Sequence, residues 1–173
     1  MKITQLGKAL DKKKYIIDKK SKSFSTTEDN LVLDFSDEYG WVFKTGSDCT
    51  FKTGSDCTFD TGSYCTFDTD SNCTFKTGSY CTFDTGSYCT FDTDSNCTFN
   101  TGSYCTFDTG YGCTFDTDSN CTFDTGYGCT FNTGSNCVAV RRDIYEVIEI
   151  PEGKKIKINE YGTKGWKEAE KWK

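Results

Sequence analysis

Residues 89–112, with the sequence CTFDTDSNCTFNTGSYCTFDTGYG, contain three consecutive copies of an eight-residue unit. The unit, CTF(D/K/N)T(G/D)(S/Y)x, extends from Phe43 to Cys137, and Phe and Cys each recur every eight residues within it. Eight residues make about 2.2 turns of an α-helix, so the phenylalanines would spiral around a helix instead of forming one face. The residue types of the unit also favour strands and turns over helix. The repeat therefore predicts an all-β fold, a β-solenoid (β-helix) of twelve octapeptide repeats.

Side chains of a strand alternate between its two faces, and this alternation separates core from surface. In the unit that begins at Cys49, the side chains of Cys49, Phe51 and Thr53 point to one face. Those of Thr50 and Lys52 point to the other. We expect the face with Cys and Phe to be the interior. The predicted core positions are Cys49, Phe51, Cys57, Phe59, Cys65, Phe67, Cys73, Phe75, Cys81, Phe83, Cys89, Phe91, Cys97, Phe99, Cys105, Phe107, Cys113, Phe115, Cys121, Phe123, Cys129, Phe131 and Cys137.

The corner of each unit is expected at Gly-Ser, for example Gly54-Ser55, because Gly accepts backbone angles that are closed to other residues. Three corners carry Asp in place of this Gly, and Asp tolerates left-handed backbone angles better than most residues. The inward Thr lies at the end of the strand, where its hydroxyl can bond to the corner backbone. The three Asp corners are at Asp70, Asp94 and Asp118.

Two coil sizes are compatible with the octads, since one octad is too short for a complete coil. Two octads give a flattened 16-residue coil with two facing sheets, in which Phe meets Phe and Cys meets Thr. Three octads give a triangular 24-residue coil. The recurrence of TDSNC at 69–73, 93–97 and 117–121 favours the triangle. A sheet separation of about 10 Å, which suits one layer of Phe rings, favours two sides. We favour the two-sided coil, with the three-sided coil as the alternative.

The segments outside the repeat are predicted to cover its ends, because a solenoid exposes an apolar cross-section and strand edges there. The chain is thus divided into an N-terminal cap (1–40), the octapeptide-repeat solenoid (41–140), and a C-terminal β-hairpin cap with a Trp-containing tail (141–173). In the C-terminal cap, residues 144–150 and 155–158 are predicted to pair as a β-hairpin.

In the N-terminal cap, the spacing of Ile3, Leu6 and Leu10 predicts a short helix, and residues 15–17 and 31–35 are predicted as strands.

Two tryptophans in the tail, Trp166 and Trp172, are expected either to pack on the last coil or to contact a partner. Such a partner contact would be either homo-oligomerisation through this cap or tail or the binding of another, unidentified protein.

Charge is distributed unevenly along the chain. Residues 1–40 carry eight Lys and seven Asp or Glu, residues 41–140 three Lys and twelve Asp, and residues 141–173 nine Lys or Arg and seven Asp or Glu. An acidic rod between nearly neutral ends repels phosphate, so nucleic-acid binding is not expected. The sequence contains no apolar run long enough for a membrane span, and the N-terminus lacks the apolar stretch of a signal peptide. We therefore expect a cytoplasmic protein with free thiols.

The repeat and its exit resemble a group of uncharacterised octapeptide-repeat proteins encoded by phages and bacteria. The similarity lies in the CTF(D/N/K)TGS(Y/N/D) run, in the exit at 137–143 (CVAVRRD), and in the following EVIE at 146–149. It implies the solenoid architecture and, for a phage-encoded chain, the host cytoplasm. It implies no activity and no functional residues.

The outward threonines form the first candidate binding surface, because regular ranks of Thr are typical of insect-type antifreeze solenoids. Those surfaces place two outward Thr on each strand, whereas here the second Thr faces inward and the outward neighbour is mostly charged. Ice or crystal-surface binding is thus the alternative function. The rank consists of Thr50, Thr58, Thr66, Thr74, Thr82, Thr90, Thr98, Thr106, Thr114, Thr122 and Thr130.

The cysteines and the outward aspartates are the second and third candidates. The cysteines contain no close pair such as CxxC, which disfavours a metal site, and stacked parallel side chains have poor geometry for disulfides. We interpret them as small apolar core residues, with metal or redox handling as a further alternative. Stacked carboxylates could attract Ca²⁺ or Mg²⁺, but Lys and Asn interrupt the rank. The outward aspartates are Asp60, Asp68, Asp84, Asp92, Asp108, Asp116 and Asp124.

Catalysis is not expected. The chain has no His, and neither a phosphate-binding loop nor an isolated carboxylate pair is evident. A rod of identical units offers no unique concave pocket. The sequence therefore predicts a structural or interaction module without cofactor, metal or catalytic residues: a rigid repeat scaffold or a regular binding face.

Overall fold

The computed structural model describes residues 1–169, and the regular secondary structure of these residues is almost entirely β-strand. Two sheets face each other, one of eleven strands and one of ten, and in the described part of the chain no helix is long and apolar enough to cross a membrane. A 3₁₀ turn spans Lys12–Lys14. The strands are β1 Lys2–Gln5, β2 Lys8–Ala9, β3 Ile16–Asp18, β4 Ser23–Ser25, β5 Leu31–Phe35, β6 Val42–Lys44, β7 Thr50–Thr53, β8 Thr58–Asp60, β9 Thr66–Thr69, β10 Thr74–Thr77, β11 Thr82–Thr85, β12 Thr90–Thr93, β13 Thr98–Thr101, β14 Thr106–Asp108, β15 Thr114–Thr117, β16 Thr122–Thr125, β17 Thr130–Thr133, β18 Cys137–Arg141, β19 Glu146–Ile150, β20 Ile156–Ile158 and β21 Trp166–Glu168.

Successive octads alternate between the two sheets, so two octads complete one coil. Strand β10 pairs in parallel with β12, and Phe75 lies opposite Phe91 in the register, one 16-residue coil further along the chain. The two-sided solenoid is therefore confirmed, and the three-sided alternative with its 24-residue coil is wrong. The 24-residue recurrence of TDSNC does not follow the coil, since it places Asp alternately on the two edges of the solenoid.

The core is a zipper of phenylalanine rings. Within its own sheet the ring of Phe83 stacks on Phe99 at 4.8 Å, with an angle of 3° between the ring planes. Across the core it meets Phe91 edge-on, at 5.2 Å and 76°. Stacked and edge-to-face contacts are the arrangements that aromatic rings prefer. The expectation that Phe meets Phe across a two-sided coil is confirmed.

Each corner turns at the residue before Cys and not at the Gly. From Asp48 to Asn136 this residue is left-handed at every octad, with φ between 56° and 70°. Gly54 and Asp70 lie outside the left-handed region, so the expectation that the Gly or Asp position supplies the unusual angle is wrong. Asn, Asp and Gly suit the left-handed position, whereas its four tyrosines each cost about 1–2 kcal/mol of backbone strain.

The corner Gly is required by close approach between coils. A Cβ at Gly86 would collide with the Oγ of Ser71 in the previous coil. That Oγ accepts a hydrogen bond of 3.0 Å from the backbone N–H of Ser87. Among the described Ser pairs that lie one coil apart, this bond is missing only where Asp replaces Gly, at the N–H of Ser71, Ser95 and Ser119.

The inward threonines close the strand ends as expected. The Oγ1 of Thr53, for example, donates to the carbonyl oxygen of Gly54 at 3.2 Å.

The N-terminal segment contains strands where a helix was predicted. Ile3 lies in β1, Leu6 is exposed in the turn to β2, and only Leu10 of the three is buried, so the predicted helix is wrong. The strands predicted at 15–17 and 31–35 are confirmed as β3 and β5 within one residue.

Coil geometry begins before the first octad. Strand β4 pairs in parallel with β6, Phe24 opposite Phe43, and β5 pairs in parallel with β7, Leu33 opposite Phe51. Strands β1 and β3 then add in the antiparallel direction, and β2, paired with β1, and β3 are the edge strands at this end.

The C-terminal segment closes the other end with strands from two hairpins. Strand β19 pairs antiparallel with β18 in one sheet, and β20 pairs antiparallel with β17 and β21 in the other. The predicted hairpin between 144–150 and 155–158 is therefore wrong, because these segments lie in opposite sheets. Trp166 lies in the edge strand β21 and is about one-third exposed. The prediction for Trp172 falls outside the described residues.

Candidate functional site

The thiols form two buried columns, one along each edge of the coil. All twelve cysteines are free and at most 2% exposed. The Sγ of Cys97 donates to the carbonyl oxygens of Gly78, at 3.6 Å, and Ser95, at 3.7 Å. The phenylalanines at the predicted core positions are equally buried. The sequence-predicted core is thus found where it was placed.

Hydrogen bonds between stacked thiols and burial raise the pKa of ten of the twelve cysteines. Hydrogen bonds with neighbouring thiols lower the pKa of Cys105 and Cys129. A hydrogen bond with the thiol of Cys113, followed by burial, raises the pKa of Cys97 to about 11. A hydrogen bond with the thiol of Cys129, followed by burial, raises the pKa of Cys113 to about 12. Nucleophilic and metal-binding cysteines react as thiolates. A buried neutral thiol behaves instead as a small apolar residue.

The outward threonines form two ranks, one on each broad face. Thr82 lies opposite Thr98 in one sheet, and Thr90 lies opposite Thr106 in the other. Neighbouring strands of a sheet are about 4.8 Å apart, so each rank is regular along the axis. The structure therefore brings together the threonines of each face and separates the two ranks by the full core. Next to each Thr rank runs the rank of Asp, Lys and Asn.

Oppositely charged and amide side chains interrupt the aspartate ranks. Lys52 Nζ lies 3.6 Å from the Asp68 carboxylate, and Asn100 donates from Nδ2 to Asp84 at 3.0 Å. These exposed contacts contribute little stability each, but they relieve repulsion between stacked carboxylates. Within residues 1–169, no cluster of three or more Cys, Asp or Glu side chains has the geometry to hold a metal ion.

Two adjacent arginines connect the C-terminal segment to the solenoid. Arg141 takes the inward position of a repeat Thr and is fully buried, with its Nη2 2.7 Å from the Asp143 carboxylate. Its Nη1 lies 3.5 Å from Glu146. Arg142 lies outside and is bound to Asp108 at 2.6 Å. From the sequence these arginines were noted only within the exit motif, and their contacts were not predicted. Two features of the sequence could have drawn attention to them: the chain has no other arginine, and the pair directly follows the last octad.

The corners carry stacked tyrosines that sequence reasoning also missed. Tyr64 stacks on Tyr80 at 5.1 Å, and Tyr88 stacks on Tyr104 at 5.1 Å on the opposite edge. These rings are more than half exposed. The stacking could have been predicted from the sequence, because these tyrosines occupy the last position of octads that are 16 residues apart. A 16-residue coil places such octads one above the other.

No protein-family model matches the chain, and no curated protein or solved structure is significantly similar to it. The functional interpretation therefore depends on the geometry of this molecule.

Proposed function

We propose that this protein is a non-catalytic structural module, a rigid spacer that holds its two ends at a fixed distance and angle. The observation that carries the proposal is the unbroken register of the stack. Seven parallel strands from β5 to β17 form one sheet, and eight from β4 to β18 form the other. At about 4.8 Å for each step, eight strands span about 34 Å.

Rigidity is supported by the way each coil holds the next. The register of neighbouring strands, the stacked rings of the core and the Ser-to-Ser bonds of the corners all follow a step of 16 residues. Bending the rod would strain all three together. In solenoids stability is approximately a sum over neighbouring repeats, so a coil in the middle is held from both sides.

A non-catalytic role is supported by the position of the reactive side chains. The thiols lie inside, away from any substrate, and the carboxylates of the broad faces stand in repeated, solvated surroundings. Enzyme sites instead gather differing groups with shifted pKa values in one concave pocket. Ice binding is disfavoured because charged side chains lie beside every outward Thr rank.

The test is to change the number of octads and measure the distance between the ends. Deleting residues 74–89 removes one coil and leaves an intact repeat at the junction. Spin labels on noncanonical residues at Leu6 and Glu152, both exposed, report the distance by pulsed dipolar EPR. We expect this deletion to shorten the stack by about 4.8 Å without changing the width of the distance distribution.

A matched variant lacking only residues 82–89 removes half a coil. Because the octads of the two sheets are equivalent, this chain should also fold, but its C-terminal end should rotate by about half a turn about the axis. Its shortening along the axis should be about 2.4 Å. A broad distribution in the unmodified protein, or equal label geometry in the two deletions, would contradict the rigid-spacer proposal.

A further inference from the structure

The repeat departs from its own pattern at two corners that are one coil apart. Ten of the twelve octads have Ser after the corner Gly or Asp, but 110–112 and 126–128 read Gly-Tyr-Gly. The left-handed position is occupied there by Gly112 and Gly128. Tyr111 and Tyr127 therefore occupy the position before the left-handed residue, whereas the other corner tyrosines occupy the left-handed position itself.

These tyrosines line a cleft where the solenoid meets its C-terminal segment. The cleft has a volume of about 380 Å³. Tyr111 stacks on Tyr127 at 5.2 Å, and Tyr161 meets Tyr127 edge-on at 5.6 Å. Among the described rings, Tyr111 contacts only Tyr127, and Tyr111 is 47% exposed. Its backbone N–H is bonded to the preceding coil through Ser95 Oγ at 3.1 Å.

The cleft has an excess of negative charge. Arg142 lines it, but its guanidinium is paired with Asp108 at 2.6 Å and Asp124 at 3.0 Å. Asp92 and Asp94 also line it, and within the described residues neither carboxylate has a hydrogen-bond or ion-pair partner. These two unpaired carboxylates belong to the coil before Tyr111 and line the same cleft.

The inward Thr of this octad, Thr109, does not make the strand-end hydrogen bond of its equivalents. The Oγ1 of Thr109 is buried and, among residues 1–169, is the one such side-chain oxygen or nitrogen without a hydrogen bond. Thr109 lines the cleft, and its carbonyl oxygen accepts from Arg142.

We propose that this cleft binds an alkylammonium ion, either a small quaternary amine or the ammonium group of a lysine side chain. Aromatic faces attract such cations through their quadrupole, and the nearby carboxylates add a direct electrostatic attraction. Anions are repelled by Asp92 and Asp94. A bare divalent metal is disfavoured because the described carboxylates do not converge in a group of three. This inference is independent of the spacer proposal, since it depends on one corner and not on the length of the stack.

The test uses substitutions that restore residues found elsewhere in the repeat, so that the fold is preserved. Amide NMR spectra are recorded during titration with choline chloride and with N-acetyl-lysine methylamide, against potassium chloride at matched ionic strength. We expect saturable shifts around Tyr111 and Asp94 with at least one amine. Tyr111→Ser and Asp94→Gly should each weaken binding by about two- to fivefold, the range expected for an exposed cation–π or ion contact. Tyr88→Asn, at the opposite edge, is the matched control and should leave binding unchanged.

Tighter binding of choline would identify a small quaternary amine as the ligand, and tighter binding of the lysine derivative would identify a peptide side chain. Shifts no larger than those produced by potassium chloride would overturn the proposal. Equal weakening by Tyr88→Asn and Tyr111→Ser would also overturn it, because binding would then follow any exposed corner tyrosine instead of this cleft.

Discussion

Replacing Phe91 by Ala removes a ring from the centre of the zipper. The ring is 1% exposed, stacks on Phe75 at 4.9 Å and Phe107 at 4.8 Å, and meets the rings of Phe83 and Phe99 edge-on, both at 5.2 Å. The two sheets hold these neighbouring rings in place, so little can move into the cavity. We expect the free energy of unfolding to fall by about 3–5 kcal/mol, as for other deletions of a buried Phe.

Thr90→Ser is the matched control on the same strand, because its side chain is exposed. This change removes one methyl group from the outer face and should cost well under about 1 kcal/mol. Urea denaturation followed by circular dichroism measures both variants, and the slope of each transition checks that cooperativity is preserved. Equal loss of stability in Thr90→Ser and Phe91→Ala would refute the assignment of inner and outer faces.

The thiols, the exit arginines, the left-handed corners and the Thr ranks each lead to a further prediction. Hydrogen bonds between stacked thiols and burial raise the pKa of Cys97 to about 11 and that of Cys113 to about 12, from 9.0. The stability that these two pKa shifts contribute is complete below about pH 9 and is lost as the pH rises toward 11–12. Urea denaturation at pH 7, 9 and 10.5 should therefore give a falling free energy of unfolding. Arg141→Ala removes the cation that pairs with Asp143 and Glu146, whose side chains are 6% and 17% exposed, and should cost about 3–5 kcal/mol. Arg142→Ala, at a half-exposed side chain, should cost about 1 kcal/mol or less; calorimetry that ranks the two variants in the reverse order would contradict the network around Arg141. Asn72→Val places a β-branched residue at a left-handed position and should cost about 1–2 kcal/mol, while Asn72→Gly should be nearly neutral; thermal melts of the pair decide the point. Ice crystals grown with the protein should be shaped like those grown with serum albumin, and faceting at micromolar concentration would favour ice binding.

The sequence by itself determined the core and the surface of the repeat. Alternation along a strand depends only on backbone geometry, so the inward places of Cys and Phe could be inferred from one octad such as 89–96. The period fixed the fold class, because a helix could not use it. The outward Thr and Asp ranks followed from the same alternation.

Only the tertiary structure decided the number of octads in a coil. Two or three octads both bury the same residues, and the choice depends on how rings such as Phe83 and Phe91 pack across the interior. Edge-to-face contact at 5.2 Å fills the space between two sheets without a third.

The corners and the ends were likewise decided by contacts between distant residues. Gly86 could not be interpreted from its own octad, because the atom that excludes a side chain there belongs to Ser71 in the coil before. The predicted pairing of 144–150 with 155–158 failed because β19 adds to the open edge of β18 in one sheet and β20 adds to the open edge of β17 in the other. The cleft around Tyr111 exists only because a 16-residue coil places octads two apart in contact. Local sequence thus specified which face of each strand is buried, and stacking specified which strands meet.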